Sequence, residues 1–187
     1  MSVSTDHKLT QADWRSSPHC APRPDWAQIE LVVIHCISLP EDQFGTGAPE
    51  RLFLGTLDVA EHESFADLEG VEVAPHLLIT REGRVTQFVA FDQQAWHAGL
   101  SSWCGRVGCN AYSVGIELEG SVNTHYTDAQ YKCLVEVLVE LFRAYPGLSV
   151  ERVVGHQDVA PDRKFDPGPH FDWQALYSAL HREAVYT

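Results

Sequence analysis

The chain has 187 residues, with 26 acidic side chains against 13 basic ones and a formal net charge of −13. That balance excludes a nucleic-acid or anionic-membrane surface, both of which need clustered Lys and Arg. A hydrophobic share of 44% with 10% aromatic residues excludes a disordered chain, and the length suits a single domain, residues 1–187, able to bury roughly 70% of its unfolded surface.

Long-range steering by this charge repels acidic molecules, so any anionic ligand must be held by locally placed positive groups. The five cysteines, Cys20, Cys36, Cys104, Cys109 and Cys133, are odd in number and scattered. They read as reduced thiols rather than a disulfide framework. Cys104 and Cys109 are close in sequence, but no second pair has zinc-ribbon spacing. The first residues contain no apolar signal core, and no window approaches the ~20 apolar residues of a membrane span. The expectation is a cytoplasmic protein with no membrane partner.

In chain order, residues 1–27 are polar and rich in proline (Pro18, Pro22, Pro24), and read as an extended N-terminal arm lying on the domain. Residues 29–35 form a nearly continuous apolar run rich in β-branched side chains, the pattern of a strand buried on both faces. It runs into His35-Cys36-Ile37-Ser38. A histidine at the end of a buried strand sits where a sheet opens into a crevice; a hydrogen-bonded core histidine is the other reading. Residues 41–75 lack a strong period and carry many acids and glycines. A short helix over 48–57 would turn Leu52, Phe53 and Leu57 inward. The insertion is either a wall of a binding site or an acidic surface loop.

Residues 73–89 predict a β-hairpin, with Gly83 in the connecting loop free to adopt positive φ. Gln94-Ala-Trp-His-Ala-Gly99 follows, with Trp96 and His97 as an aromatic, polar-tipped pair. Residues 113–120 alternate Val114, Ile116 and Leu118 against Ser113, Gly115, Glu117 and Glu119, so both acids share one strand face. An acid in such a strand is a surface residue or an active-site carboxylate. Residues 127–145 predict the clearest helix. Thr127 and Gln130 form a capping box, Leu134, Leu138 and Phe142 fall on one stripe, and Pro146-Gly147 stops it. A last amphipathic helix starts near Asp172.

The stretch 152–168 holds the densest chemistry. Val153-Val154-Gly155 leads into His156, and a turn-rich segment then carries Lys164 and Asp166. Alone it reads as a turn with a solvated Lys–Asp pair. With His35 it becomes a metal site: two imidazoles and one carboxylate leave one tetrahedral position of zinc open. In that arrangement Glu117 is placed to take a proton from water and return it to a leaving nitrogen. Lys164 is placed to stabilise an oxyanion. The set describes amide hydrolysis.

Several stretches together carry a resemblance: Val-Val-Ile-His-Cys-Ile-Ser-Leu-Pro, Phe-Leu-Gly-Thr-Leu-Asp, Ala-Trp-His-Ala-Gly, Gly-Ile-Glu-Leu-Glu-Gly, Tyr-Thr-Asp-Ala-Gln-Tyr and Gly-His-Gln-Asp-Val-Ala-Pro-Asp-Arg-Lys-Phe-Asp-Pro-Gly-Pro. They span roughly residues 17 to 180. The chain resembles the zinc N-acetylmuramoyl-L-alanine amidases, which include peptidoglycan recognition proteins and phage amidase-type lysozymes. Its nearest likeness is to the branch that acts on 1,6-anhydro-N-acetylmuramyl peptides. The resemblance implies an α/β (α+β) fold with a central mixed β-sheet flanked by helices. It implies Zn2+ held by His35, His156 and Asp166, catalysis by Glu117 and Lys164, and a monomer acting on anhydro-muramyl peptide in cell-wall recycling. It also puts Trp96 and His97 beside the substrate groove. The alternatives are an amidase acting on polymeric peptidoglycan and a non-catalytic muropeptide-binding module.

Two departures from the family pattern stand out. Cys36 occupies the place of an asparagine whose amide would bond the substrate backbone. Glu72 and Gly108 stand where arginines are expected to hold a stem-peptide carboxylate. Arg106 is the neighbouring guanidinium expected to substitute.

Overall fold

The apolar run at the start of the domain and the alternating strand at 113–119 form two adjacent interior strands of a six-stranded sheet. The computed structural model describes residues 1–184. Its strands in chain order are β1 (Asp13–Trp14), β2 (Cys20–Pro22), β3 (Leu31–Ile37), β4 (Leu77–Ile79), β5 (Val85–Gln87), β6 (Gln93–Ala95), β7 (Ser102–Trp103), β8 (Arg106–Val107), β9 (Ser113–Glu119) and β10 (Val153–Gly155). The α-helices are α1 (Ala48–Phe53), α2 (Asp128–Ala144), α3 (His156–Val159) and α4 (Trp173–Ala184). The large sheet has the order β1-β5-β4-β9-β3-β10 and is parallel at every pairing except β4 with β5.

Side-chain alternation divides this sheet into two chemically different faces. On one, Val32, Ile34, Val114, Ile116, Leu77 and Ile79 form a core closed by α2 and α4. Leu134, Val137, Leu138 and Leu141 of α2 and Leu176 and Leu180 of α4 are at most 1% exposed there. Each contributes about 1.5–3 kcal/mol by leaving water. On the other face Leu31, Val33 and Val154 pack on Ala98, Cys109, Tyr112 and Val159. His35 and Glu117 have the parity of this second face. The register sets His35 directly opposite Glu117 across the β3–β9 pair.

Local chemistry fixes the flanking elements. Thr127 Oγ1 accepts from Gln130 N at 3.2 Å, and Gln130 Oε1 accepts from Thr127 N at 3.1 Å, which closes the capping box of α2. The Gln130 side-chain amide also donates to Glu119 O at 2.9 Å, tying the helix start to β9. The expected hairpin is β4–β5, with Gly83 at φ 78° in its loop. The N-terminal arm does more than lie on the surface: β1 adds a parallel edge strand beside β5, and β2 pairs with β6. The arm also buries Arg23, whose guanidinium donates to the carbonyls of Phe91, Asn110, Ala111 and Ser113 at 2.7–3.2 Å.

Candidate active site

β3 passes two residues beyond His35, so this histidine sits within the paired strand rather than at its tip. β10 lies beside β3, with Gly155 opposite Ile34, and His156 opens α3 immediately after. Adjacent parallel strands therefore deliver the two imidazoles to one point. His35 Nδ1 and His156 Nδ1 are 2.9 Å apart. Asp166 Oδ2 lies 3.2 Å from the first and 3.1 Å from the second. Both rings are nearly inaccessible, at 1% and 3% exposure.

The Asp166 loop is seated by close packing. A Cβ at Gly155 would stand 2.8 Å from Pro167 Cδ, so only glycine lets the loop fold back over β10. Asp166 O accepts from Gln157 N at 3.0 Å, and Tyr126 OH donates to Pro167 O at 2.8 Å.

The protonation pattern at this triangle identifies what it can hold. His156 Nε2 faces the carbonyl oxygen of Ala98 at 3.2 Å and must donate to it, which leaves Nδ1 of a neutral ring as a bare lone pair. Burial pushes the His35 imidazole down to about 4, against the opposing pull of Asp166. Burial also pushes the Asp166 carboxyl up, but the two imidazoles beside it, His156 and His35, outweigh that and hold it below the usual carboxylate range. The two Nδ1 atoms and the carboxylate oxygen thus converge on one point, an arrangement that calls for a shared cation. Two imidazoles with one carboxylate match the donor set of an open zinc site. Among the described residues these three form a group able to hold a metal ion.

Glu117 reaches into the same cleft, a cavity of about 620 Å³ also lined by Lys164, Phe165 and Trp96. The side chain is half-buried, yet Oε2 is shut off from solvent and has no hydrogen-bond partner. Burial, reinforced by the negative charge of Asp166, raises its pKa well above the usual carboxylate range, with Lys164 opposing. Glu119, on the same strand face, acts in a different way, because its carboxylate accepts from the backbone N–H of Gly45 and of Arg81. That clasp fixes one end of the 41–75 insertion. The insertion is a wall of the cleft, contributing Leu52, Phe53, Leu68, Val71 and Val73. Among the described residues, no histidine or cysteine lines the groove of about 670 Å³ between α2 and α4.

The other expected site residues divide. Trp96, His97 and Cys36 border the cleft. Cys36 alternates with His35, however, and turns toward the helix-covered core, where burial pushes its thiol up to about 12. Arg106 does not reach the cleft, and the expectation that it substitutes for a substrate-binding arginine is corrected. The short β7–β8 hairpin carries it to a separate depression, where Nη1 donates to Glu30 Oε2 at 2.6 Å and the guanidinium lies 4.1 Å over Tyr112. The guanidinium beside the cleft is Arg163, donating to Ala98 O at 2.8 Å and Leu100 O at 2.9 Å. Its position next to Lys164 in the Asp-Arg-Lys motif was the available signal. Tyr126 opens the Tyr-Thr-Asp-Ala-Gln-Tyr stretch but had no role read from it, and Arg23 carried no such signal.

The chain is similar to characterised proteins along most of its length. A family profile described as N-acetylmuramoyl-L-alanine amidase matches residues 25–169. The chain is 48% identical to the 1,6-anhydro-N-acetylmuramyl-L-alanine amidase AmpD of Escherichia coli K12 over 169 residues, covering 90% of this chain and 92% of that one. It is 46% identical to AmpD of Haemophilus influenzae over 172 residues, covering 92% and 94%. The crystal structure of a selenomethionine AmpD derivative superposes with a TM-score of 0.93 at 43% identity, over 96% of this chain and 99% of that one. E. coli AmiD, in complex with the substrate anhydro-N-acetylmuramic acid-L-Ala-D-gamma-Glu-L-Lys, superposes with a TM-score of 0.59 at 30% identity, over 88% of this chain and 60% of that one. A profile match through the whole site and close relatives along nearly the full chain place the protein in the N-acetylmuramoyl-L-alanine amidase family.

Proposed function

We propose that the protein is a zinc-dependent amidase that hydrolyses the bond between 1,6-anhydro-N-acetylmuramic acid and the L-Ala of the stem peptide, in peptidoglycan recycling. The observation that carries this reading is the convergence of His35 Nδ1, His156 Nδ1 and Asp166 Oδ2 within 3.2 Å beside a buried, unpartnered Glu117 Oε2. Zinc held by those three residues would supply a Lewis acid for the scissile carbonyl and for water.

The chain's own groups account for the remaining steps. Glu117 Oε2 accepts a proton from the attacking water and passes it to the departing L-Ala nitrogen. Its burial serves both halves: a weakly solvated carboxylate is a stronger base, and its conjugate acid persists long enough to donate. The ammonium of Lys164 meets the negative charge that grows on the carbonyl oxygen, a contribution of about 10²–10³ in rate for a well-placed donor. Leu52, Phe53 and Trp96 form apolar walls that hold the sugar–peptide junction and exclude bulk water.

One chain supplies the full set of groups, so a monomer suffices. Five unpaired cysteines accord with the reducing cytoplasm, where soluble anhydro-muropeptide is the accessible substrate. Among the described residues no helix is long and apolar enough to cross a membrane.

The test is to incubate zinc-loaded protein with anhydro-muramyl tripeptide and, separately, with intact sacculi. Free anhydro-muramic acid and a tripeptide with a new L-Ala amino terminus are expected from the first. Cleavage of sacculi alone would assign the protein to polymeric peptidoglycan. Binding without turnover would make it a recognition module.

A further inference from the structure

The two histidines of the triangle are oriented differently. His156 is fixed directly, by Ala98 O. His35 Nε2 instead meets another side chain, His97 Nδ1, at 2.9 Å. His97 Nε2 in turn meets Ser113 Oγ at 3.1 Å, and Ser113 Oγ meets Cys109 O at 2.6 Å.

A carbonyl oxygen only accepts, and this settles every proton upstream of it. Ser113 must donate its hydroxyl hydrogen to Cys109 O. It therefore accepts from His97, so His97 Nε2 carries the hydrogen and Nδ1 is bare. His97 Nδ1 then accepts from His35 Nε2–H, and His35 Nδ1 is left as a lone pair aimed at His156 and Asp166. From this we infer that His97 is a positioning residue whose chain through Ser113 to the Cys109 carbonyl fixes the tautomer and ring plane of His35 for metal binding. This inference rests on the reading of His35 as a ligand.

The surrounding structure is built to hold that ring. A Cβ at Gly115 would stand 2.4 Å from His97 Cγ and 2.5 Å from its Nδ1, so the ring lies directly on the β9 backbone. Asn110 Oδ1 accepts from His97 N at 3.2 Å and from Ala98 N at 2.7 Å. One amide thus steadies both the relay to His35 and the carbonyl that fixes His156. Along one face of β9, Ser113 ends the relay, Gly115 seats the ring and Glu117 enters the cleft. Both nitrogens of His97 are committed, which leaves no ring nitrogen to hydrogen-bond substrate.

The test measures zinc affinity by competition with a chromophoric chelator, together with kcat and KM at saturating zinc. Loss of a partner that orients a metal-bound histidine typically weakens binding 10–100-fold. His97→Phe should lose affinity in that range with KM unchanged. His97→Asn, whose Oδ1 accepts where Nδ1 did, should recover most of it. If His97→Phe fails to fold, Ser113→Ala tests the same chain: it releases the His97 tautomer and should weaken zinc binding several-fold. Wild-type zinc affinity in a folded His97→Phe or Ser113→Ala variant, or a raised KM with unchanged affinity, overturns the proposal. His35→Ala is the control: retention of wild-type zinc affinity there would instead remove the ligand reading itself.

Discussion

Replacing Glu117 with Gln should move activity and stability in opposite directions. Glu117 Oε2 is buried without a partner, and burial together with the charge of Asp166 raises its pKa. A buried polar atom left unpaired costs about 1–3 kcal/mol, and more when charged. Gln keeps a neutral polar atom in the same place, so the variant recovers the charge-dependent part, about 1–2 kcal/mol. For a chain of this length that raises Tm by about 2–8 °C. The pH dependence follows from linkage. Glu117 binds its proton more tightly in the folded state than in the unfolded chain, where a glutamate titrates near ~4.3. It therefore favours folding below that pH, and this contribution is lost as pH rises through the folded pKa. The Tm difference between Glu117→Gln and wild type should be smallest near pH 4 and grow toward pH 7. Chelator-treated protein is used for this melting series, because a bound cation favours the ionised carboxylate and masks the effect. Turnover of zinc-loaded Glu117→Gln should fall by about 10²–10⁴. A Tm at pH 7 equal to or below wild type would refute the argument from burial, and full activity would refute the general-base role.

Three further expectations are independent of that one. Asp166→Asn removes the carboxylate of the triangle and should weaken zinc binding more than the 10–100-fold typical of an outer-shell change, read by chelator competition. Arg106→Ala should leave KM for anhydro-muramyl tripeptide unchanged, because that guanidinium is paired with Glu30 outside the cleft; a raised KM in steady-state kinetics would return it to substrate binding. Thr127→Ala opens the capping box of α2 and should lower stability by about 1 kcal/mol in denaturant unfolding, with kcat/KM unaltered.

The parts of the fold that were readable from sequence have strong periods or explicit chemistry. β3 is marked by its apolar run, β9 by alternation, α2 by stripe and capping box, and the β4–β5 hairpin by its glycine-bearing loop. His156 and Asp166 were visible because a histidine directly after a strand and an aspartate in a proline-closed turn are unusual together. What escaped was set by long-range register. Nothing in residues 29–37 or 113–119 states that His35 faces Glu117; that follows only from the parallel pairing of β3 with β9. Two-residue strands such as β1 are too short to carry a period, and their pairing is decided by the edge they meet. Arg23 looked like any charge in a proline-rich arm, yet it closes four backbone carbonyls. Cys36 differs from these, because its placement needs no long-range register. Strand alternation alone puts it on the opposite face from His35, so its turn toward the helix-covered core is already implicit in the two adjacent residue numbers.

The central claim joins a metal to a bond. Its most direct test is one sample of purified protein, assayed for zinc by elemental analysis and for products by mass spectrometry after incubation with anhydro-muramyl tripeptide. The account predicts one zinc per chain, and free anhydro-muramic acid with a tripeptide beginning at L-Ala, both lost on chelation and restored by zinc. Cleavage that persists in fully metal-free protein, or a product cut at any other bond, would contradict it.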